Sequence, residues 1–265
     1  MESGESTKAV TRTLGLLEVL AEGGSFELSE LARRVDMHKS TVYRFVTTLC
    51  NMGYARRADD QRYEATLKMI MLGNSLAQNR PPWQDAFRAM EQLSRSTGET
   101  IHLATLENDR LVFVHKIEST FGLRVVMLSD IGRSAPLHCT ALGKILLAWQ
   151  SPARVKTLVE SNPLVRYTPK TITTKRRLTE ELEEVRTTGV ALDDEEHETG
   201  VRCLATPIWS EPSRAPVAAL SISAPTLRMH ADEQAHHTQL LLEATKQLSH
   251  DMGLALIRPE DRRGA

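Results

Sequence analysis

Apolar positions at the start of the chain recur at helical spacing, broken twice by turn-forming residues. Val10, Leu14, Leu17 and Ala21 predict a first helix over residues 10–21, stopped by Gly23-Gly24. Leu31, Ala32 and Val35 form a short second stripe, capped at its start by Ser29 and ended at Asp36-Met37. A third helix runs from about His38 to Asn51. Val42, Phe45, Val46 and Leu49 form its apolar face, and Ser40, Tyr43, Arg44 and Thr47 lie opposite. Two helices joined by so short a turn, the second with a basic and hydroxyl-rich face, predict a helix-turn-helix shaped for a major groove.

Gly53 ends the third helix, and residues 54–65 place a turn at Asp59-Asp60 between two short segments bearing Arg56, Arg57 and Arg62. That pattern suits a β-hairpin wing laid along phosphates. Residues 66–79 predict another helix, but Leu67, Met69, Ile70, Met71, Leu72 and Leu76 cover more than one face. A helix so apolar needs a cover, and a partner subunit is the simplest one. Pro81-Pro82 then marks a boundary.

Beyond it, Trp83, Phe87, Met90 and Leu93 predict a helix ending before Gly98. Residues 99–106 and 111–117 read as strands around Asn108-Asp109. Residues 140–149 and 178–188 read as helices, and residues 190–193, 202–209 and 217–223 as further strands. Leu241, Thr245, Leu248 and Met252 give a closing helix its inner face. The expected class is α+β, with helices packed on a sheet.

Composition changes this picture little. No apolar run approaches the length of a membrane span, and MESGESTKAV lacks an export signal, so a cytoplasmic protein without membrane association is expected. Cys50, Cys139 and Cys203 are widely spaced and predict reduced thiols rather than disulfides or a zinc site. The net charge of −1 is not that of a basic protein. Locally, however, Arg33, Arg34, Lys39, Arg44, Arg56, Arg57 and Arg62 outnumber Asp36, Asp59 and Asp60, forming a basic patch.

Several stretches carry more information than their periodicity. LSELARRVDMHKSTVYRFVTTLCNMGY resembles the DNA-binding segment of the IclR family of bacterial regulators. ETIHLATLENDRLVFVHKIES, RSAPLHCTALGKILLAW, RYTPKTIT, DDEEHETGVRCLATPI and ALSISAPTLR resemble its larger domain, in the same order. The resemblance implies a winged helix-turn-helix over residues 8–65, a linker helix over 66–81 and a GAF-like effector domain with an antiparallel sheet over 82–258. It further implies homodimers or tetramers on double-stranded palindromic operators. KSTVYRF, VHKIES and ALSISAPTLR look most like the branch that controls sugar-acid catabolism. Asp36 stands where the family commonly has glycine, but aspartate tolerates left-handed backbone better than most residues. His38 replaces a common proline.

The resemblance assigns roles that the residues alone leave open. Lys39, Ser40, Thr41, Tyr43 and Arg44 are expected in the major groove, with Arg44 bidentate to guanine, and Arg56, Arg57 and Arg62 on phosphates. Alternation along a strand puts Ser221 and Ser223 on one face. Read alone, they are structural hydroxyls and Cys203 a small core residue. By resemblance, Ser221, Ser223, Asp193 and Cys203 line an effector pocket with Ala141 and Leu142, whose helix start attracts a carboxylate. Asp193 is expected to take sugar-acid hydroxyls, with Arg124 as counter-charge and Met127 in the wall.

An activator of aromatic-acid degradation would use the same fold with a more apolar pocket. A metal-dependent enzyme built on Asp193-Asp194-Glu195-Glu196-His197-Glu198 is the other rival, but consecutive residues in an extended segment alternate faces and converge poorly. No catalytic nucleophile motif is present, and Gly143-Lys144 lacks a phosphate-cradling loop, so neither a catalytic site nor a cofactor is expected.

Overall fold

The computed structural model describes residues 8–78, 81–122, 129–209 and 215–251. Arg124, Met127 and Met252 lie outside the described residues, as do the side chains of Leu76 and Trp83. The chain forms two compact units, residues 1–81 and 82–265.

In the first unit, α1 (Lys8–Ala21), α2 (Leu28–Arg34) and α3 (Lys39–Asn51) enclose a core of Leu16, Leu20, Leu31, Val42, Val46 and Leu49. The stripe expected on α1 is displaced. Leu16 and Leu20 are fully buried, whereas Val10 and Leu14 are exposed, because apolar residues cover a wide arc of this helix and the core takes one edge of it. Ser29 is not a cap either: Glu27 occupies the N-cap position, and Ser29 Oγ donates to its carboxylate at 3.2 Å. The turn between α2 and α3 puts Asp36 at φ 48°, the left-handed region that aspartate tolerates.

Strands β1 (Ala55–Arg57) and β2 (Tyr63–Ala65) pair antiparallel, with Arg56 opposite Glu64 and Arg57 opposite Tyr63. Phe26 and Tyr63 exchange backbone hydrogen bonds at 2.9 and 2.8 Å, tying the hairpin to the segment before α2. Helix α4 (Lys68–Gln78) follows, and Ile70 and Met71 are 60% and 69% exposed.

The second unit is built on an antiparallel sheet of β3 (Thr100–Glu107), β4 (Arg110–Ile117), β5 (Ser134–Ala135), β6 (Ala191–Asp194), β7 (Val201–Ile208) and β8 (Ala218–Pro225), in the order β5-β4-β3-β8-β7-β6. Alternation gives the sheet two different faces. Ile101, Leu103, Leu220 and Ile222 pack with Ala86, Met90 and Leu93 of α5 (Pro81–Thr97) and Leu241 and Leu248 of α9 (Ala231–Asp251). The opposite face meets α6 (Ala141–Ala148) and α8 (Lys175–Thr188), with Leu158 and Val159 of α7 (Pro152–Ser161) in the same cluster. Helix α7 was not anticipated, although Ser151-Pro152 is a readable start: Ser151 Oγ accepts the Arg154 amide and proline occupies the first turn.

Helix α6 is buried along its whole length. Thr140 caps it by accepting the Gly143 amide at 3.1 Å and donating to Pro136 O at 2.6 Å. A Cβ on Gly143 would lie 2.4 Å from Leu137 O, so only glycine permits this approach.

Candidate DNA interface and ligand site

The polar side of α3 is free because its apolar side is consumed by the core. Lys39, Ser40, Tyr43 and Arg44 are exposed and Thr41 is half-buried. Beside the start of the helix, Arg12, Ala32, Arg33, Asp36, Met37, His38 and Thr41 line a recess of about 370 Å³. On the wing, Arg56 and Arg57 are exposed. Arg56 pairs with Glu64 at 2.5 Å, and the Arg57 guanidinium lies 5.7 Å from the Tyr63 ring centre. Arg62 points elsewhere. Its Nη2 donates to Ser25 O at 2.6 Å and its Nε to Ser25 Oγ at 3.0 Å, with Glu27 at 3.5 Å.

In the second unit the sheet register brings together residues far apart in sequence. Asp193 stands opposite Cys203, Cys203 opposite Ser223, and Ser221 opposite His102. Directly opposed residues of an antiparallel pair share a face, so these side chains lie together on the α6 side of the sheet. All are nearly or fully buried. Asp193 Oδ1 accepts the Glu196 amide at 2.8 Å and the His197 amide at 3.3 Å. Burial, only partly offset by those amides, pushes its carboxyl up to about 7. Burial likewise raises the Cys203 thiol, which stays protonated. Among the described residues, Ser221 Oγ is buried without a hydrogen-bond partner.

The neighbouring cavity, of about 510 Å³, is lined by Phe113, Ser129, Arg133, Ser134, Ala135, Pro136, Tyr167 and His197. The buried row meets it twice. His102 Nε2 lies 2.8 Å from Ser129 Oγ and its ring 5.3 Å from that of Phe113, while Asp193 holds the backbone of His197. Burial lowers the His102 imidazole to about 3, so it is neutral at physiological pH. Ala141 and Leu142 are also buried, but they do not line the cavity. Their helix start is partly committed, since Thr140 takes the Gly143 amide.

His102, Phe113, Ser129, Arg133 and Tyr167 were missed by sequence reasoning. Only strand register and the route of the loops assemble them, and the residue types carry no spacing signal. His197 lies in the acidic run considered above as a metal site. There three of the acids are paired with cations: Lys170 bridges Asp194 at 2.9 Å and Glu195 at 2.8 Å, Arg202 also pairs with Asp194, and Lys144 pairs with Glu196 at 2.5 Å. Among the described residues no group of three or more His, Cys, Asp or Glu side chains could hold a metal ion, and no helix is long and apolar enough to cross a membrane.

A helix-turn-helix unit followed by a sheet-and-helix unit with a partly open cavity defines a DNA-binding transcriptional regulator. The profile of the IclR helix-turn-helix domain matches residues 9–59, and that of the bacterial transcriptional regulator IclR C-terminal region matches residues 78–250. The chain belongs to the IclR family. It is 40% identical over 250 residues to the HTH-type transcriptional regulator KdgR of Escherichia coli, covering 94% of each chain. The crystal structure of Thermotoga maritima IclR superposes with a TM-score of 0.78 at 28% identity, covering 94% of this chain and 100% of that one. The C-terminal domain of E. coli KdgR superposes with a TM-score of 0.59 at 38% identity, over 66% of this chain and 99% of that domain. These relatives are transcriptional regulators rather than enzymes.

Proposed function

We propose that this regulator is a cytoplasmic repressor of sugar-acid catabolic genes, released or modulated by a small carboxylate such as 2-keto-3-deoxygluconate. The likeness to KdgR over nearly the whole chain is the observation that carries this reading. Residues 8–65 grip DNA, 66–81 link, and 82–258 sense. Lys39, Ser40, Thr41, Tyr43 and Arg44 enter the major groove, and Arg56 and Arg57 hold phosphates. Arg62, engaged with Ser25, buttresses the wing. Two copies joined along the exposed apolar face of α4 set a pair of reading helices on a palindromic operator, and two such dimers make a tetramer.

The effector occupies the cavity, where Ser134 supplies a donor and Arg133, held by Asp130 at 3.2 Å, turns its remaining guanidinium donors to an acid. Asp193, Cys203, Ser221 and Ser223 form the buried floor beside it. Binding acts on DNA only through unequal affinity for conformations that space the two reading helices differently. Phe113 and Tyr167 in the cavity wall favour a second reading, an aromatic acid as the effector of an activator.

Mobility shifts on the protein's own upstream DNA, with and without 2-keto-3-deoxygluconate or 4-hydroxybenzoate, separate these readings. Release by the sugar acid supports the first and a response to the aromatic acid alone supports the second. Failure to shift that DNA even at low salt overturns the operator assignment. Within the reading helix, Arg44→Ala is expected to cost about 1–3 kcal/mol and relax base preference. Unchanged affinity for matched and scrambled sites would remove Arg44 from the groove.

A further inference from the structure

The cavity in the second unit is furnished from two margins of the sheet. Arg133 and Ser134 reach it from the β5 side, and His197, in the loop after β6, reaches it from the other side beside Tyr167. The His197 corner is held in place. Tyr167 N donates to Thr171 Oγ1 at 3.0 Å, Thr171 Oγ1 donates to Glu196 O at 2.7 Å, and His197 N donates to Asp193 Oδ1 at 3.3 Å. The Tyr167 and His197 rings meet edge to face with 5.1 Å between their centres. Among the described residues, His197 Nδ1 is buried without a hydrogen-bond partner, whereas Nε2 makes no hydrogen bond and is not buried. Burial lowers the pKa of this imidazole, so one nitrogen carries a proton and the other a lone pair. A buried N–H with nothing to accept it is tolerated less well than a buried lone pair. The proton therefore belongs on Nε2, where the contents of the cavity can accept it.

We infer that His197 is a specificity-determining residue for the hydroxylated end of the effector: its Nε2 donates to a hydroxyl oxygen, while the effector's carboxylate lies at Arg133. A keto group next to the carboxylate stays at the Arg133 end with it, so the hydroxyls further along the chain are what His197 meets. A neutral imidazole suits an uncharged oxygen and offers no second positive charge to a second carboxylate. An acid without hydroxyls leaves this donor unpaired, which is how a polar site rejects an apolar analogue. The inference rests on reading this cavity as the sensor of a small carboxylate.

The test is calorimetry on the full chain with 2-keto-3-deoxygluconate and with 2-oxohexanoate, which has the same carbon chain, keto group and carboxylate but no hydroxyls. Wild type is expected to prefer the sugar acid. His197→Phe is expected to weaken binding of the sugar acid about fivefold, as for loss of one hydrogen bond, and to leave 2-oxohexanoate nearly unchanged. His197→Gln, which keeps a donor, is expected to restore most of the preference. Unchanged affinity of His197→Phe for the sugar acid, or an equal loss for both acids, would overturn the inference while leaving the sensor reading intact. Wild type that binds neither acid overturns both. Nitrogen-15 spectra of the wild-type histidines guard against variants that fail to fold. The His197 Nε2 signal is expected to shift when the sugar acid is added and not when 2-oxohexanoate is, and a signal that stays put with the sugar acid bound would sink the proposal.

Discussion

Lys144 Nζ lies 2.5 Å from Glu196 Oε1, with the lysine wholly excluded from solvent in the first turns of α6. The same ammonium donates to Glu181 at 2.8 Å and to Leu192 O at 2.7 Å, so one cation ties α6 to α8 and to the strand that carries Asp193. Burying this charge is tolerable because all three donors are used.

Removing the cation strands the Glu196 carboxylate in the interior, while Glu181 keeps Arg177 at 3.1 Å. Lys144→Met is therefore expected to destabilise the second unit by about 3–5 kcal/mol. Denaturant unfolding of the full chain checks it, and a loss below about 1 kcal/mol would mean that Glu196 finds another partner or water.

Asp193 makes stability depend on pH. Its carboxyl rises from 3.8 to about 7 on folding, so the folded chain holds this proton more tightly than the unfolded one. The contribution of this group therefore falls as pH rises from about 4 to about 7, and above that the full cost of the buried charge is present. Asp193→Asn keeps an acceptor for the two amides and removes the ionisation. Melting temperatures of wild type and variant, followed across this range, are expected to diverge toward higher pH in favour of the variant, and parallel curves would contradict the buried charge.

The wing arginines are expected to separate into two kinds. Arg57→Ala should reduce by about one the slope of log affinity against log salt, for specific and nonspecific DNA alike. Arg62→Ala should leave that slope unchanged and lower the unfolding free energy of the first unit by about 1 kcal/mol, through its lost bonds to Ser25. Salt titrations of binding beside thermal melts distinguish them, and a salt-slope change in Arg62→Ala would return that residue to the phosphates.

Helix α4 predicts the assembly. Ile70→Lys combined with Met71→Lys places charges on its exposed apolar face and is expected to yield monomers by sedimentation velocity, with operator affinity falling as the two half-sites become independent. Dimers that persist would locate the interface on another surface.

Much of the architecture was readable from residue patterns. The α3 stripe, the hairpin turn at Asp59-Asp60 and the pairing around Asn108-Asp109 all follow from local chemistry, in which periodicity and turn residues act over a few positions. The errors arose where several local choices were equally good. On α1 the choice between Val10-Leu14 and Leu16-Leu20 depends on which edge of a broad apolar arc meets the core. At the site, alternation places Ser221 and Ser223 on one face, but nothing in the sequence shows that His102 stands opposite Ser221. That pairing is a matter of register between strands more than a hundred positions apart. The acidic run illustrates the reverse case: its residues are conspicuous in the sequence, yet Lys170 and Arg202 neutralise Asp194 and Glu195 while Lys144 takes Glu196.

The order of the strands has one more implication. Ser134 and Ala135 belong to the first strand of the sheet, and His197 to the loop leaving the last, yet they wall the same cavity. The sheet must therefore curl until its margins face one another, like a hand closing around a coin. A guest in the palm would touch thumb and little finger together.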